Sequence, residues 1–166
     1  MAGKSLVSHT AGLHNSFATL LNHLQSPLLL AIRLYWGWQF AQSGWGKLHR
    51  LPQVADFFTS LNLPYPHFTA LFIGLVEFIG GILLAFGLCS RIVSLALFIN
   101  MSVAYWTADR EALGQIFSDP GKFYNADPYT FWFAALLILI FGPGVFALDW
   151  ILNRSFPNRQ NRLSMP

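Results

Sequence analysis

The residues best placed to do chemistry are polar side chains set inside apolar stretches. Glu77 is the one charge between Pro66 and Leu88 and lies eleven residues from either end of that stretch. Asn100 is the main polar residue between Ile92 and Ala108, and Gln39 stands near the middle of a stretch from Leu28 to Leu48 that also holds Arg33, Gln42 and Lys47. Ionisable groups within a bilayer cost on the order of 2.5–3.5 kcal/mol each, so each one asks for a reason, and the default reason is function. Gathered at one depth, a carboxylate, two amides and a cation can bind a polar headgroup or handle a proton. Arg33 and Lys47 are fourteen residues apart, two heptads, so they share a helix face with Gly37, Phe40 and Gly44 between them. Gly74, Glu77 and Gly81 share a face in the same way, and small residues on both faces allow close backbone approach. The expected site therefore has Glu77 as its acid–base group and Arg33, Gln39, Lys47 and Asn100 as ligand-binding residues. Arg33 is the expected counter-ion, with Lys47 further out. An architectural ion pair that only holds helices together is the competing reading.

The elements that must carry these residues follow from composition. Hydrophobic residues make up 54% of the 166 positions and charged residues 10%, against about a quarter charged in a soluble domain. So few charges cannot cover a soluble surface, but they suit one that faces lipid. An apolar stretch of roughly 20 residues crosses the hydrocarbon core. Four candidates predict an all-α membrane protein with a four-helix bundle: about 28–48, 66–88, 92–108, and a fourth that starts near Pro128. The fourth should end at Gly142-Pro143-Gly144, because proline removes a donor and clashes with the preceding turn. The chain beyond it should run along the inner membrane surface, with Asp149 capping or salt-bridging near the interface.

Two further segments read as amphipathic. Leu13, Phe17, Leu20, Leu21 and Leu24 recur at helical spacing opposite Asn15, Ser16, Asn22 and His23, and Val54, Phe57, Phe58 and Leu61 recur after Pro52. Each either lies in the membrane interface or packs on a partner or the bundle. The expected division is an amphipathic segment over 1–27, a membrane domain over 28–152 and a basic tail over 153–166.

Arg154, Arg159 and Arg162 supply much of the net charge of +3. Next to a span they read as a cytoplasmic anchor, which places both termini in the cytoplasm, and not as a nucleic-acid site. The first sixteen residues lack the apolar core of a cleavable signal. The single Cys89 excludes an internal disulfide and reads as a small buried hydrophobe. The histidines never pair at i, i+3 or i+4, so no metal site is expected. Trp36, Trp38, Trp45 and Trp106 read as interfacial belt residues, with stacking on an aromatic ligand as the alternative.

Four blocks in order resemble the DoxX family of small bacterial and archaeal membrane proteins. They are IRLYWGWQFAQSGWGKL (Ile32–Leu48), FFTSLNLP (Phe57–Pro64), GLVEFIGGILLAFGL (Gly74–Leu88) and GPGVFALD (Gly142–Asp149). Arg91 and Asn100 match positions between the last two. The resemblance implies a four-helix bundle in the cell inner membrane, linked to redox chemistry, with some relatives serving as subunits of a thiosulfate:quinone oxidoreductase. No covalent cofactor motif is present, so redox chemistry would use a free quinone, a thiol or a partner's cofactor. The expected function is a redox-associated subunit that binds a quinone or similar headgroup, acting with another membrane or periplasmic protein or as a homo-oligomer. A non-catalytic membrane scaffold or assembly partner is the alternative, and a small transporter ranks third. The 1–27 segment and the 109–127 loop are additions to the simplest family pattern.

Overall fold

The computed structural model describes the backbone over residues 2–155, and side chains from Phe17 onward apart from Ala18, Asn153 and Ser155. Arg159 and Arg162 of the basic tail, and the side chains of Leu13, Asn15 and Ser16, lie outside the described residues.

The described chain is helical. Four long helices, α1 (Ala2–His49), α3 (Pro66–Phe86), α4 (Ser90–Thr107) and α7 (Pro128–Phe141), are joined by the shorter α2 (Leu51–Ser60), α5 (Arg110–Gly114) and α6 (Pro120–Asn125), and α8 (Leu148–Ser155) closes the described chain. The long helices pack in a ring, α1 on α3, α3 on α4, α4 on α7 and α7 back on α1. Among the described residues α3 is the one helix long and apolar enough to cross a membrane by length and composition, with a mean hydropathy of 2.2. The apolar α7 is shorter, at 14 residues.

The most extensive contact, between α1 and α3, is set by glycine. A Cβ built on Gly37 would stand 2.7 Å from the Gly81 carbonyl oxygen, and one on Gly44 would stand 2.6 Å from that of Gly74. Both meet backbone, which cannot turn aside, so only glycine permits this approach. The pairs Gly37/Gly81 and Gly44/Gly74 also fix an antiparallel register. Phe40, Leu84, Leu97 and Ile138 fill the centre of the ring, with Val93, Met101 and Ala135 around them. Large apolar side chains such as Phe68, Phe72, Phe86 and Ile92 stay exposed on the outside.

The two amphipathic segments differ in fate. The first does not form a separate in-plane helix: α1 runs unbroken from Ala2 through Pro27 to His49. At 1.5 Å per residue it is about 72 Å long, more than twice a hydrocarbon core. Phe17, Leu20, Leu21 and Leu24 are exposed along it. The second segment, α2, packs on the bundle, burying Ala55 and Phe58 against Ala70 of α3. The fourth helix stops at Phe141 as expected, and Gly142 and Gly144 both take positive φ, at 79° and 76°. Cys89 departs from expectation. It is exposed and opens α4 with φ 50°, because the tight turn from α3 leaves its side chain outside the bundle.

Candidate functional site

The antiparallel register decides which cation meets Glu77. With Gly44 packed against the backbone of Gly74 and Phe78, Ser43 and Gly44 stand level with Glu77; Lys47, one turn further along α1, reaches back to it, and the two form an ion pair. Glu77 is 1% exposed. Its Oε2 accepts from Lys47 Nζ and from Ser43 Oγ (2.9 Å), and its Oε1 accepts from Asn100 Nδ2 (2.9 Å). Lys47 Nζ also donates to Ser43 Oγ at 2.8 Å. Glu77, Lys47 and Asn100 thus converge from three helices. Ser43, which joins them, is legible in hindsight: it lies one turn before Lys47 on the same face of α1.

Arg33 does not join them. Running antiparallel, α1 sets Arg33 beside Gly87 at the far end of α3, where a Cβ on Gly87 would collide with Arg33 Nη1. Arg33 is fully buried there, donating to the Phe146 carbonyl at 2.9 Å. Two residues can share a helix face and still lie at opposite ends of a neighbour. Arg33 therefore belongs to a second cluster with Asp149, whose carboxylate oxygens accept from Cys89 N and Ser90 N at 2.7 Å each. Asp149 caps the start of α4, the capping role the sequence suggested.

A cavity of about 880 Å³ adjoins Glu77. Its inner end is Glu77, Lys47, Ser43, Asn100 and Gln39, its walls include Trp36, Phe57, Phe58 and Phe131, and it extends to Asp109, Tyr124 and Asp127 of the 109–127 loop. Trp36 stands edge-on to Phe131 at 5.1 Å. Trp38, Trp45 and Trp106 are exposed instead. At the outer end Asp109 is held above the usual carboxylate range by burial and by the nearby charge of Asp127. The loop is anchored by Tyr105, whose hydroxyl donates to the Phe123 carbonyl at 2.7 Å while the two rings stack. The loop contribution to the cavity was not legible in sequence, because no spacing rule ties residues 109–127 to Glu77.

A carboxylate offers about four acceptor positions, and Glu77 uses three. Asn100 Oδ1 has no partner among the described residues, and an ammonium has three donors, of which Lys47 uses two. The inner end can therefore both accept a hydrogen bond from a bound molecule and donate one to it. No group of three or more His, Cys, Asp or Glu that could hold a metal occurs among the described residues.

A helical bundle with a lipid-like exterior and a buried ion pair at the end of a cavity defines a class of small membrane protein with an internal polar site. The DoxX family model matches residues 28–110, half of the chain, and the protein belongs to the DoxX family of membrane proteins. The match spans Arg33, Gln39, Lys47, Glu77 and Asn100 together. No curated protein and no solved structure matches the chain.

Proposed function

We propose that the protein is a multi-pass inner-membrane subunit that binds a quinone or a molecule with a similar polar ring in the cavity beside Glu77, in association with a redox partner. The observation that carries this reading is the cavity of about 880 Å³ ending on the Lys47–Glu77–Asn100 cluster. A purely architectural ion pair needs no adjoining space, and ligand sites generally occupy about 300–1,000 Å³, with mostly apolar walls and a few convergent polar groups. Flat aromatic walls at Trp36 and Phe131 suit a ring. Lys47 and Asn100 donate to a ring carbonyl, and Glu77 accepts from a ring hydroxyl. Gln39, at the same inner end, offers a further amide. A bound quinone supplies two-electron, two-proton chemistry; the protein's part is to orient the ring and to hold a proton acceptor, Glu77 Oε1, at one of its oxygens.

In this reading α1, α3, α4 and α7 all cross the membrane, α7 being completed by the chain flanking it, and Arg91 and Arg154 mark the cytoplasmic end with the termini. The cavity then faces outward, beneath the 109–127 loop. A partner that exchanges electrons would dock over that loop. The scaffold alternative draws no comparable support, because docking alone gives no reason for a cavity beside Glu77.

The test is ligand-linked stability of the purified protein in nanodiscs. A short-chain quinone at a hundred times its Kd stabilises by about 2.7 kcal/mol, which is seen as a rise in unfolding temperature. Asn100→Leu, which removes a donor from the cavity, should lose that rise. If no quinone shifts the wild-type transition at any concentration, the reading fails.

A further inference from the structure

The second polar cluster lies at the opposite end of the bundle from Glu77 and is unused by the site just described. A recess of about 490 Å³ opens there between the start of α4 and the turn that follows α7, lined by Ser90, Arg91, Ile92, Phe141, Val145 and Trp150 among others. Ser90 is fully buried, yet its Oγ has no hydrogen-bond partner. Arg33, also fully buried, leaves Nε and Nη1 unpartnered, and Ser94, one turn further along α4, leaves its Oγ so. Buried polar atoms without partners are costly, and Ser90, the one of these three residues that lines the recess, marks a place where something else supplies the bond.

Charge indicates what that is. Arg33 and Arg91 contribute two positive charges and Asp149 one negative, leaving one positive. Asp149 already occupies the first amides of α4, so it is spent as a cap. Arg91 is exposed and has no ion-pair partner among the described residues, and a Cβ on Gly142 would lie 3.4 Å from its Nε and Nη2, so its guanidinium lies over the turn that edges the recess. Beside this polar end the recess is apolar: Ile92 is 73% exposed and Phe141 55%. A phosphate held by an arginine next to an apolar strip is the chemistry of a phospholipid at the membrane boundary, and basic recesses between helices are where anionic headgroups bind.

We propose that this recess binds one anionic phospholipid, its phosphate on Arg91, its phosphate or glycerol oxygens on the Ser90 hydroxyl, and an acyl chain along Ile92 and Phe141. Arg33 supports the site from behind Asp149. A choline headgroup fits poorly, since its cation would face the net positive charge.

The experiment is native mass spectrometry of the intact protein released from nanodiscs of phosphatidylglycerol and phosphatidylcholine in equal amounts, with unfolding temperature measured in parallel in detergent supplemented with either lipid or with inorganic phosphate. One phosphatidylglycerol should remain bound in preference to phosphatidylcholine, by tenfold or more, and should raise the unfolding temperature. Arg91→Ala and Ser90→Ala should each weaken that retention, whereas Arg110→Ala, at the other end of the bundle, should not. Short-chain quinone binding should be unchanged in Arg91→Ala, so failure here is separable from failure of the cavity reading. Equal retention of the two lipids, equal effects of Arg91→Ala and Arg110→Ala, or protection by inorganic phosphate matching that of the lipid would each overturn the proposal.

Discussion

Removing Lys47 should damage the protein more than neutralising Glu77, although both changes break the same ion pair. The asymmetry comes from exposure: the Lys47 side chain is 27% exposed and that of Glu77 2%. In Lys47→Met the Glu77 carboxylate is left in the interior with only Ser43 and Asn100 to hold it. Stranding one partner of a buried pair costs about 3–5 kcal/mol, and the two remaining donors favour the lower end, about 3 kcal/mol. In Glu77→Gln the ammonium keeps Ser43 and hydrates through the cavity, while the amide oxygen still accepts from Asn100. That loss is close to one charge-assisted hydrogen bond, about 1.5 kcal/mol. With Glu77 already neutral, removing Lys47 should add only about 0.5 kcal/mol, by the scale of a partly exposed charge. The double variant should therefore be more stable than Lys47→Met alone, and the cycle should return a coupling of about 2.5 kcal/mol. Reversible unfolding in mild detergent, followed by tryptophan fluorescence for the four proteins, measures all the terms. Equal losses in the two single variants, or losses that simply add, would show that Glu77 is not held as a buried carboxylate by Lys47.

Three further outcomes follow from the geometry. Gly44→Ala should separate α1 from α3 and cost about 3 kcal/mol or more, on the scale of overpacking against rigid atoms; Gly46→Ala, two residues on with nothing within 4 Å of its built Cβ, should stabilise by about 0.5–1 kcal/mol. Thermal unfolding of the pair checks this, and equal effects would refute the close approach. Because burial and Asp127 raise the Asp109 pKa, folding favours its protonated form; that contribution is present below the ordinary value of 3.8 and is lost as pH rises through the raised value. Asp109→Asn should accordingly gain stability relative to wild type as pH increases across that window, and a difference that does not vary with pH would refute it. Asp149→Ala uncaps α4 and leaves Arg33 without its nearby carboxylate. It should cost about 2 kcal/mol or more, with Asp149→Asn intermediate, as measured by the unfolding midpoint.

How much of this was legible in the sequence depends on distance along the chain. Helix positions and ends followed from local signals: Pro66 and Pro128 open helices, and Gly142-Pro143-Gly144 closes one. Glu77 and Asn100 meet because both sit near the middle of helices that pack together, which depth alone suggests. The counter-ion was misassigned because helical periodicity fixes the face of α1 but not its offset along α3. That offset is set by which glycine meets which, and Gly37 and Gly44 each had two candidate partners seven residues apart. The unbroken α1 was hidden because the pattern changes from amphipathic over 13–24 to apolar from Leu28, which reads as two segments although the helix continues through Pro27. Cys89 was read as buried from residue type, whereas a positive φ in a three-residue turn placed it outside. Asp109 and Asp127 escaped notice because loop-to-cavity contacts leave no periodic trace.

The apolar layer of Phe40, Leu84, Leu97 and Ile138 lies between the Glu77 cluster and the Arg33–Asp149 cluster, and every one of these four side chains is fully buried. The interior is thus a blind vestibule. Water and solutes that enter beneath the 109–127 loop meet this apolar plug before the Arg33–Asp149 cluster, so the same mouth serves for entry and exit. In the proposed quinone-binding role, a proton accepted at Glu77 would have to return by that mouth or leave on the bound molecule. Under the proposed topology, such a plug keeps an electrochemical gradient intact across the bundle and confines the proposed chemistry to one leaflet.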